Sequence, residues 1–549
     1  MTPNVPVPGR IVIAACAAIA IATAVLVFHR LGASDICSGD EAVEAVFVQQ
    51  MVEDGNLLFP VENGRQPMYK PPLFHWTATA MDRLAGIHRV TARNVRATSA
   101  VYAIAGVVLT MLAAYGLLGG EGAIFAGLAL AGSYQYINQG RFARVDMTLC
   151  FFEALALFIF AWWLPPHGAG ADEALRRRGR LYLLAIAMGL AVLSKGPIGA
   201  LVPGAAMVAF MVVERRWRQI LPLLEPGPLL IGAAIASSWY AACYLGGRWG
   251  FLNRQIGNEN VGRFFGSLGA MAPWYYIKPI LLNSAPLSLF IPIAVVMALW
   301  PKKDGAVSEA RVGNRTDAAM RLFAIFWIVT VVFFNLAAYK RRSYLLPLWP
   351  ASAILIGWLV LSLARYSSGR AAKWVFVALC AGLMVFNFIY IPRMEMRDCA
   401  NSSYRPAAEE IMKVVGKDEP LYTFGFDEEL APLLFYLDRD APAVKDKLGD
   451  APPGYVIVPL KVWRAHQNEA LDLTPVLTSE HGERKIVLLR RGKTYADTLR
   501  SPSRCATLDS PCVFYRPALA FTRGRCKLVG DQLSPRAGSA SRRGGFPRS

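Results

Sequence analysis

The sequence predicts a polytopic α-helical membrane protein ending in a small soluble α/β domain. Of 549 residues, 54% are apolar and 18% charged, mean hydropathy is +0.35, and the apolar residues gather in runs long enough to cross a bilayer. Near residue 391 the hydropathy falls and short alternating patterns replace the long runs. A soluble fold has no means of hiding so many apolar runs, so a soluble enzyme, a disordered chain and a small disulfide scaffold are excluded for the whole chain.

Eleven stretches approach the length needed for a roughly 30 Å hydrocarbon core: 11–31, 97–118, 121–137, 147–164, 181–196, 197–213, 228–246, 275–300, 321–338, 345–364 and 373–391. The first exceeds the apolar region of a signal peptide and lacks a small-residue cleavage site, so it is taken as a span. Arg176, Arg177, Arg178 and Arg180, then Arg215, Arg216 and Arg218, and the loops 302–321 and 365–373 alternate onto one side, which the positive-inside tendency makes cytoplasmic. The N-terminus is then cytoplasmic, and loops 32–96, 138–146, 247–274 and 339–344 with everything after 391 lie on the outer face of the membrane.

Residues 1–391 form the expected membrane module and 392–500 an extracytoplasmic α/β domain. The latter reads helix-like at 405–415 and 427–437 and strand-like at 420–426, 455–458 and 485–491. Ser, Arg, Gly and Pro dominate 501–549 without periodicity, which predicts a disordered basic tail. That tail holds nine Lys and Arg against two Asp, supplying +7 of the formal +19. Much of the remaining charge sits in short loops that set topology and meet anionic lipid, so membrane lipids are expected partners and nucleic acid is not. Cys16, Cys150, Cys243 and Cys380 lie in apolar segments; Cys399, Cys505, Cys512 and Cys526 lie outside, where a disulfide is chemically possible but its pairing stays open.

Several outer loops carry charge that the positive-inside tendency discourages. In the first, Ser38 and Glu41 have capping-box spacing, so Asp40 reads either as a helix-opening acid or as a carboxylate placed to activate or orient an acceptor. Asp146 stands at the outer entrance to a span, with Arg144 or Arg141 as a structural partner, or a shared site as its alternative. Lys70 precedes Pro71 and Pro72, which keep it out of helix as a point charge suited to phosphate; otherwise it snorkels beside Tyr69, Phe74 and Trp76, where His75 reads as a packing residue. Arg263, Lys340, Arg341 and Tyr344 present donors that match phosphodiester oxygens, or anionic lipid headgroups. Lys195, before Gly196 and Pro197, reads first as a snorkelling residue at a helix break.

Taken in order, Asp40-Glu41, the stretch 64–72 with Lys70-Pro71, Arg144-Val145-Asp146, Leu193-Ser194-Lys195-Gly196-Pro197, Asn260-Val261-Gly262-Arg263-Phe264 and the stretch 340–347 resemble the motifs of bacterial GT-C glycosyltransferases. The type resembled is the aminoarabinose transferase that modifies lipid A, related to the protein O-mannosyltransferases. The likeness runs in outline over residues 1–490.

The resemblance implies an extracytoplasmic active site that takes a sugar from a polyprenyl (undecaprenyl) phosphate and transfers it, with inversion, to lipid A, another envelope glycolipid or a protein. It implies that Asp40 and Asp146 are the catalytic acids and that Lys70, Arg263, Tyr344, Lys340 and Arg341 bind the donor phosphate. The aminoarabinose enzymes bind a metal through a Glu before the motif Lys and a His of a later loop. Here Tyr69, Asn258 and Glu259 hold those positions, so the usual ligands are not matched; a divalent metal stays open, and no other cofactor is assigned. A lipid-linked sugar flippase is the reading from another class, but transporters keep coupling charges near the midplane and have paired halves. In this sequence the ionisable groups collect at the outer surface and no halves repeat, which favours transfer.

Overall fold

The computed structural model describes residues 9–63, 66–165, 177–266, 269–300, 312–365, 369–426, 430–445, 447–468, 472–481 and 483–492. All lie within one compact unit, Met1–Lys493. The expected tail 501–549, with Cys505, Cys512 and Cys526, lies outside the described residues.

Each of the eleven apolar stretches is largely helical. Among the described residues six helices are long and apolar enough to cross a membrane: Gly9–Phe28 (α1), Ala92–Gly132 (α4), Val145–Trp163 (α6), Pro226–Leu245, Arg315–Leu336 and Gly369–Ala400. Ile198–Val213, Leu287–Leu299 and Leu348–Leu363 are shorter apolar helices, and the short helix Tyr134–Gln139 (α5) lies between α4 and α6. Apolar side chains such as Ile13, 70% exposed, and Leu112, 66% exposed, face outward, as helices solvated by lipid require.

Two expected spans merge into α4, but its helical geometry breaks at Gly119, with φ 76° and ψ −168°. Beyond the break, a Cβ on Gly127 would lie 2.6 Å from the Met111 sulfur, whereas a straight helix separates residues sixteen apart by about 24 Å. The run is therefore an antiparallel hairpin turned on one glycine. Glycine also lets Arg178–Lys195 approach Pro226–Leu245, since a Cβ at Gly189 would sit 2.9 Å from the Gly232 carbonyl oxygen.

Between α1 and α4 lie two helices that are too short to span, Gly39–Glu53 (α2) and Leu73–Leu84 (α3), and a ribbon of Val61–Glu62 (β1) with Gln66–Pro67 (β2). The capping-box expectation fails: Ser38 makes no side-chain cap to α2, and its hydroxyl accepts from Arg144 Nη2 at 3.2 Å. Glu41 turns inward instead, accepting the Arg96 fork at 2.8 and 2.9 Å and the Ala143 amide at 3.0 Å. Arg96 also donates to the carbonyls of Leu31, Ser34 and Asp35, so a buried ion pair fastens the first loop to the start of α4. Arg96→Ala strands the Glu41 charge and is expected to destabilise the protein by about 3–5 kcal/mol, read as a lowered thermal midpoint of the purified protein.

After the last apolar helix come Leu421–Thr423 (β3), Gly454–Pro459 (β4), Leu473–Ser479 (β5) and Ile486–Arg491 (β6), forming one sheet in the order β3-β4-β6-β5. β3 runs parallel to β4, while β4 and β5 both pair antiparallel with β6. Arg405–Val414 and Ala431–Leu437 match the expected helices in part; β5 and the helix Leu460–His466 had no legible signal. Pro475 and a register shift before Leu477 break the alternation of β5, and seven residues are too few to show a helical period.

This layer shares a hydrophobic cluster with α2, joining Phe47 and Val48 to Leu433, Leu434 and Leu488. The disulfide left open by the sequence joins Cys37 to Cys399, and Arg141 grips Glu395 through two bonds of 2.7 Å. In the oxidised protein, alkylation should modify neither Cys37 nor Cys399; after Cys37→Ser, Cys399 should become modifiable, as mass mapping would read.

Candidate functional site

α2 opens with Asp40 and places Glu44 one turn on, so both carboxylates share a face. Pro71 and Pro72 hold Lys70 outside α3, as its sequence predicts, and its ammonium meets Glu44. Behind that pair, His75 Nε2 lies 2.6 Å from the second Glu44 oxygen, and the ring packs edge-on against Phe47 and Phe74. Burial raises the Glu44 pKa, but Lys70 and His75 outweigh it and keep the group a carboxylate. For Lys70, burial favours the neutral amine, yet Glu44, Tyr69 and Asp40 hold it protonated well above the ordinary lysine value.

Arg263 ends ten residues of π-helical winding, Asn253–Gly262, a geometry that recurs at functional sites. Three backbone bonds fix that loop to the segment before Leu348–Leu363: Ala338 donates to Phe264 at 3.0 Å, Tyr339 to Arg263 at 3.2 Å and Met271 to Ala338 at 2.9 Å. Arg263 is thereby set 2.6 Å from Glu259 and 3.4 Å from the Tyr344 hydroxyl. Asp146, in the first turn of α6, accepts from Lys195 at 2.5 Å, and that ammonium lies 4.8 Å above the Tyr344 ring. Neither arginine proposed as its structural partner takes it: Arg141 goes to Glu395, and Arg144 is 3.9 Å from Asp40.

Lys70, Asp146, Arg263 and Tyr344 thus line one cavity of about 360 Å³, with Lys195, Glu259 and Tyr339. Its other walls are apolar and include Ile198, Leu201, Phe264, Phe333 and Phe334. Asp40 is ion-paired with Arg341, whose guanidinium donates to the Tyr339 hydroxyl on the cavity wall. Burial would raise the Asp40 pKa, but Lys70, Arg341 and Arg144 hold it below the ordinary 3.8. Lys340 stands apart from its expected companions. Its ammonium is buried and donates to the Ala337 carbonyl at 2.6 Å, at the negative end of the helix Val312–Leu336.

Sequence reasoning missed Glu44 and passed over Lys195. Glu44 was legible as the residue one turn beyond Asp40; Lys195 only as a charge in an otherwise apolar run. The positions that hold the metal in the resembled enzymes do not suit one here. Glu259 is taken by Arg263, and the Tyr69 ring lies between Lys70 at 4.9 Å and Arg254 at 4.6 Å, a cationic setting. No group of three or more metal-ligating side chains occurs among the described residues.

Solved structures share this multi-span helical fold. ArnT from Cupriavidus metallidurans bound to undecaprenyl phosphate superposes with a TM-score of 0.72 at 18% identity, covering 88% of this chain and 98% of that one. An oligosaccharyltransferase of Archaeoglobus fulgidus, tethered to an acceptor peptide, gives 0.52 at 13% identity over 88% and 74%.

Part of the chain is also similar in sequence to known proteins. Residues 69–242 match the dolichyl-phosphate-mannose-protein mannosyltransferase model. An undecaprenyl phosphate-alpha-4-amino-4-deoxy-L-arabinose arabinosyl transferase of Pseudomonas fluorescens is 25% identical over 62% of this chain and 58% of its own length. An uncharacterized protein of Aquifex aeolicus is 27% identical over 60% and 61%. The chain thus spans less than two thirds of these two relatives.

Proposed function

We propose that the protein is a glycosyltransferase that moves a sugar, with inversion, from a polyprenyl phosphate to lipid A or another envelope glycolipid. The observation that carries this reading is the gathering of Lys70, Asp146, Arg263 and Tyr344, far apart in sequence, on one cavity with apolar walls. The charged rim suits a phosphodiester, and the aromatic and aliphatic walls suit the first prenyl units.

The acceptor oxygen attacks the anomeric carbon while the bond from that carbon to the phosphate oxygen breaks and its electron pair leaves with the phosphate. The leaving group gains one negative charge, which Lys70 and Arg263 stabilise from fixed positions. A hydroxyl acceptor gives its proton to Asp40; a phosphate acceptor is already a nucleophile, and Asp40 then orients it. With Lys70, Arg341 and Arg144 beside it, Asp40 is a weak base because these cations depress it. A bound phosphate shares those cations, which raises the Asp40 proton affinity when a base is required.

The reading extends to topology: all eleven apolar stretches cross, the N-terminus is cytoplasmic, and 392–500 form a periplasmic domain. The Cys37–Cys399 bond supports it, because it joins the first loop to the segment after the last span and persists in an oxidising compartment. The match to the mannosyltransferase model supports a second reading, transfer to a protein hydroxyl.

Purified protein in vesicles, given labelled undecaprenyl-phosphate sugar, tests the proposal. Release of free undecaprenyl phosphate means transfer. Intact donor crossing the vesicle, with none released, means a flippase and defeats the reading. Mass spectra of envelope lipids and proteins, from cells with and without the gene, separate the two acceptors.

A further inference from the structure

A second cavity, of about 860 Å³, opens where the β-sheet layer meets the ends of two apolar helices. Arg30, two residues beyond α1, and Arg93, in the first turn of α4, line it from below. Arg89 joins them from the segment before α4, and Arg405 from the start of the helix Arg405–Val414. Four guanidiniums from separate parts of the chain thus share one space, against the carboxylates of Asp35 and Glu409. This cavity has no lining residue in common with that of Lys70 and Arg263. Gln49, which lines it, comes nine residues after Asp40 and so lies about half a turn round α2 from it.

Two of the four arginines are matched. Arg405 meets Glu409 at 2.9 Å and Asp35 at 3.4 Å, and Arg89 lies 3.5 Å from Asp438. Arg30 and Arg93 have no ion pair or side-chain hydrogen bond among the described residues. Both are nonetheless set in place. Arg30 takes a left-handed turn, φ 54°, which a residue other than glycine adopts at a cost. Gly32 packs so closely that a Cβ on it would lie 2.8 Å from the Arg93 Cβ. The first turn of α4 holds no acid to offset Arg93, although the aligned amides there already disfavour a cation. An anion is what this cavity lacks.

The level of the cavity indicates what carries that anion. α1 and α4 are long and apolar enough to cross a membrane, and Arg30 and Arg93 stand at their ends, where lipid headgroups lie. Phe28 and Met412, both exposed, place apolar surface beside the cations. We propose that the cavity binds an anionic phospholipid, whose phosphate is received by the guanidiniums of Arg30 and Arg93. The site goes beyond the proposed transfer and is independent of it, since it lies on the other side of α2 from Asp40.

The test uses the full-length protein purified in mild detergent, with undecaprenyl phosphate added in excess to fill the cavity of Lys70 and Arg263. Binding of fluorescent phosphatidylglycerol is measured with unlabelled phosphatidylglycerol, zwitterionic phosphatidylcholine or inorganic phosphate as competitor. Phosphatidylglycerol is expected to displace the probe at a concentration about tenfold or more below that of phosphatidylcholine, and inorganic phosphate to leave it bound. The double variant Arg30→Gln, Arg93→Gln should bind the probe about tenfold or more weakly while keeping the wild-type thermal midpoint. Equal displacement by phosphatidylcholine, or undiminished binding in the double variant, overturns the proposal. Displacement by inorganic phosphate at the concentration effective for phosphatidylglycerol makes this a site for free phosphate and overturns the lipid assignment. No turnover is read, so the outcome is separate from that of the transferase assay.

Discussion

Arg263→Ala is expected to slow release of undecaprenyl phosphate from a labelled donor by about 10²–10³-fold, while the protein still inserts and keeps its thermal midpoint. The loss falls mainly on the chemical step, because the second negative charge appears only as the anomeric bond breaks. Arg263 is a cleaner probe than Lys70. Its partner Glu259 is one turn away on the same helical segment and 20% exposed, so it is rehydrated when the guanidinium goes. Removing Lys70 strands Glu44, whose side chain is 1% exposed, so Lys70→Ala should lose both turnover and stability. Wild-type rates in both variants would remove the phosphate site.

Asp40→Asn is expected to lower transfer to a hydroxyl acceptor by about 10²–10⁴-fold and to lower transfer to a phosphate acceptor far less, since there Asp40 only orients. An unchanged rate with the hydroxyl acceptor would leave Asp40 as a helix-opening acid. Because burial is outweighed by Lys70, Arg341 and Arg144, the carboxyl stays ionised below the ordinary 3.8, and the acid limb of kcat/KM lies under that value. Arg341→Ala withdraws one of those cations, so the carboxylate binds its proton more readily and the acid limb moves to higher pH. A limb that stays in place would show that Asp40 is not the group titrating.

The helical character of the apolar stretches was legible because apolar runs survive any detail of packing, and the loop cations stood out because they break the positive-inside tendency in the expected topology. Lys70 was readable from the prolines after it, and Asp146 from its isolation at a span entrance. Partners were not. Glu41 looked like a cap because spacing along one helix is visible in sequence, whereas its bond to Arg96 depends on how α2 lies against α4. Lys340 looked like one of three equivalent cations; its burial at a helix end depends on where that helix stops. The sequence reading put the ionisable groups at the outer surface, yet Glu153 sits deeper, hidden in a run whose neighbours are all apolar.

Lys70 with Glu44, Lys195 with Asp146, Arg263 with Glu259 and Arg341 with Asp40 match each of these cations, in the cavity or beside it, with a carboxylate. A spent polyprenyl phosphate, more highly charged than the donor it came from, would otherwise cling to such a rim and stall the cycle. If the proposed transfer takes place, these carboxylates are resident rivals that reclaim their cations as the product loosens, so departure is assisted from within the pocket.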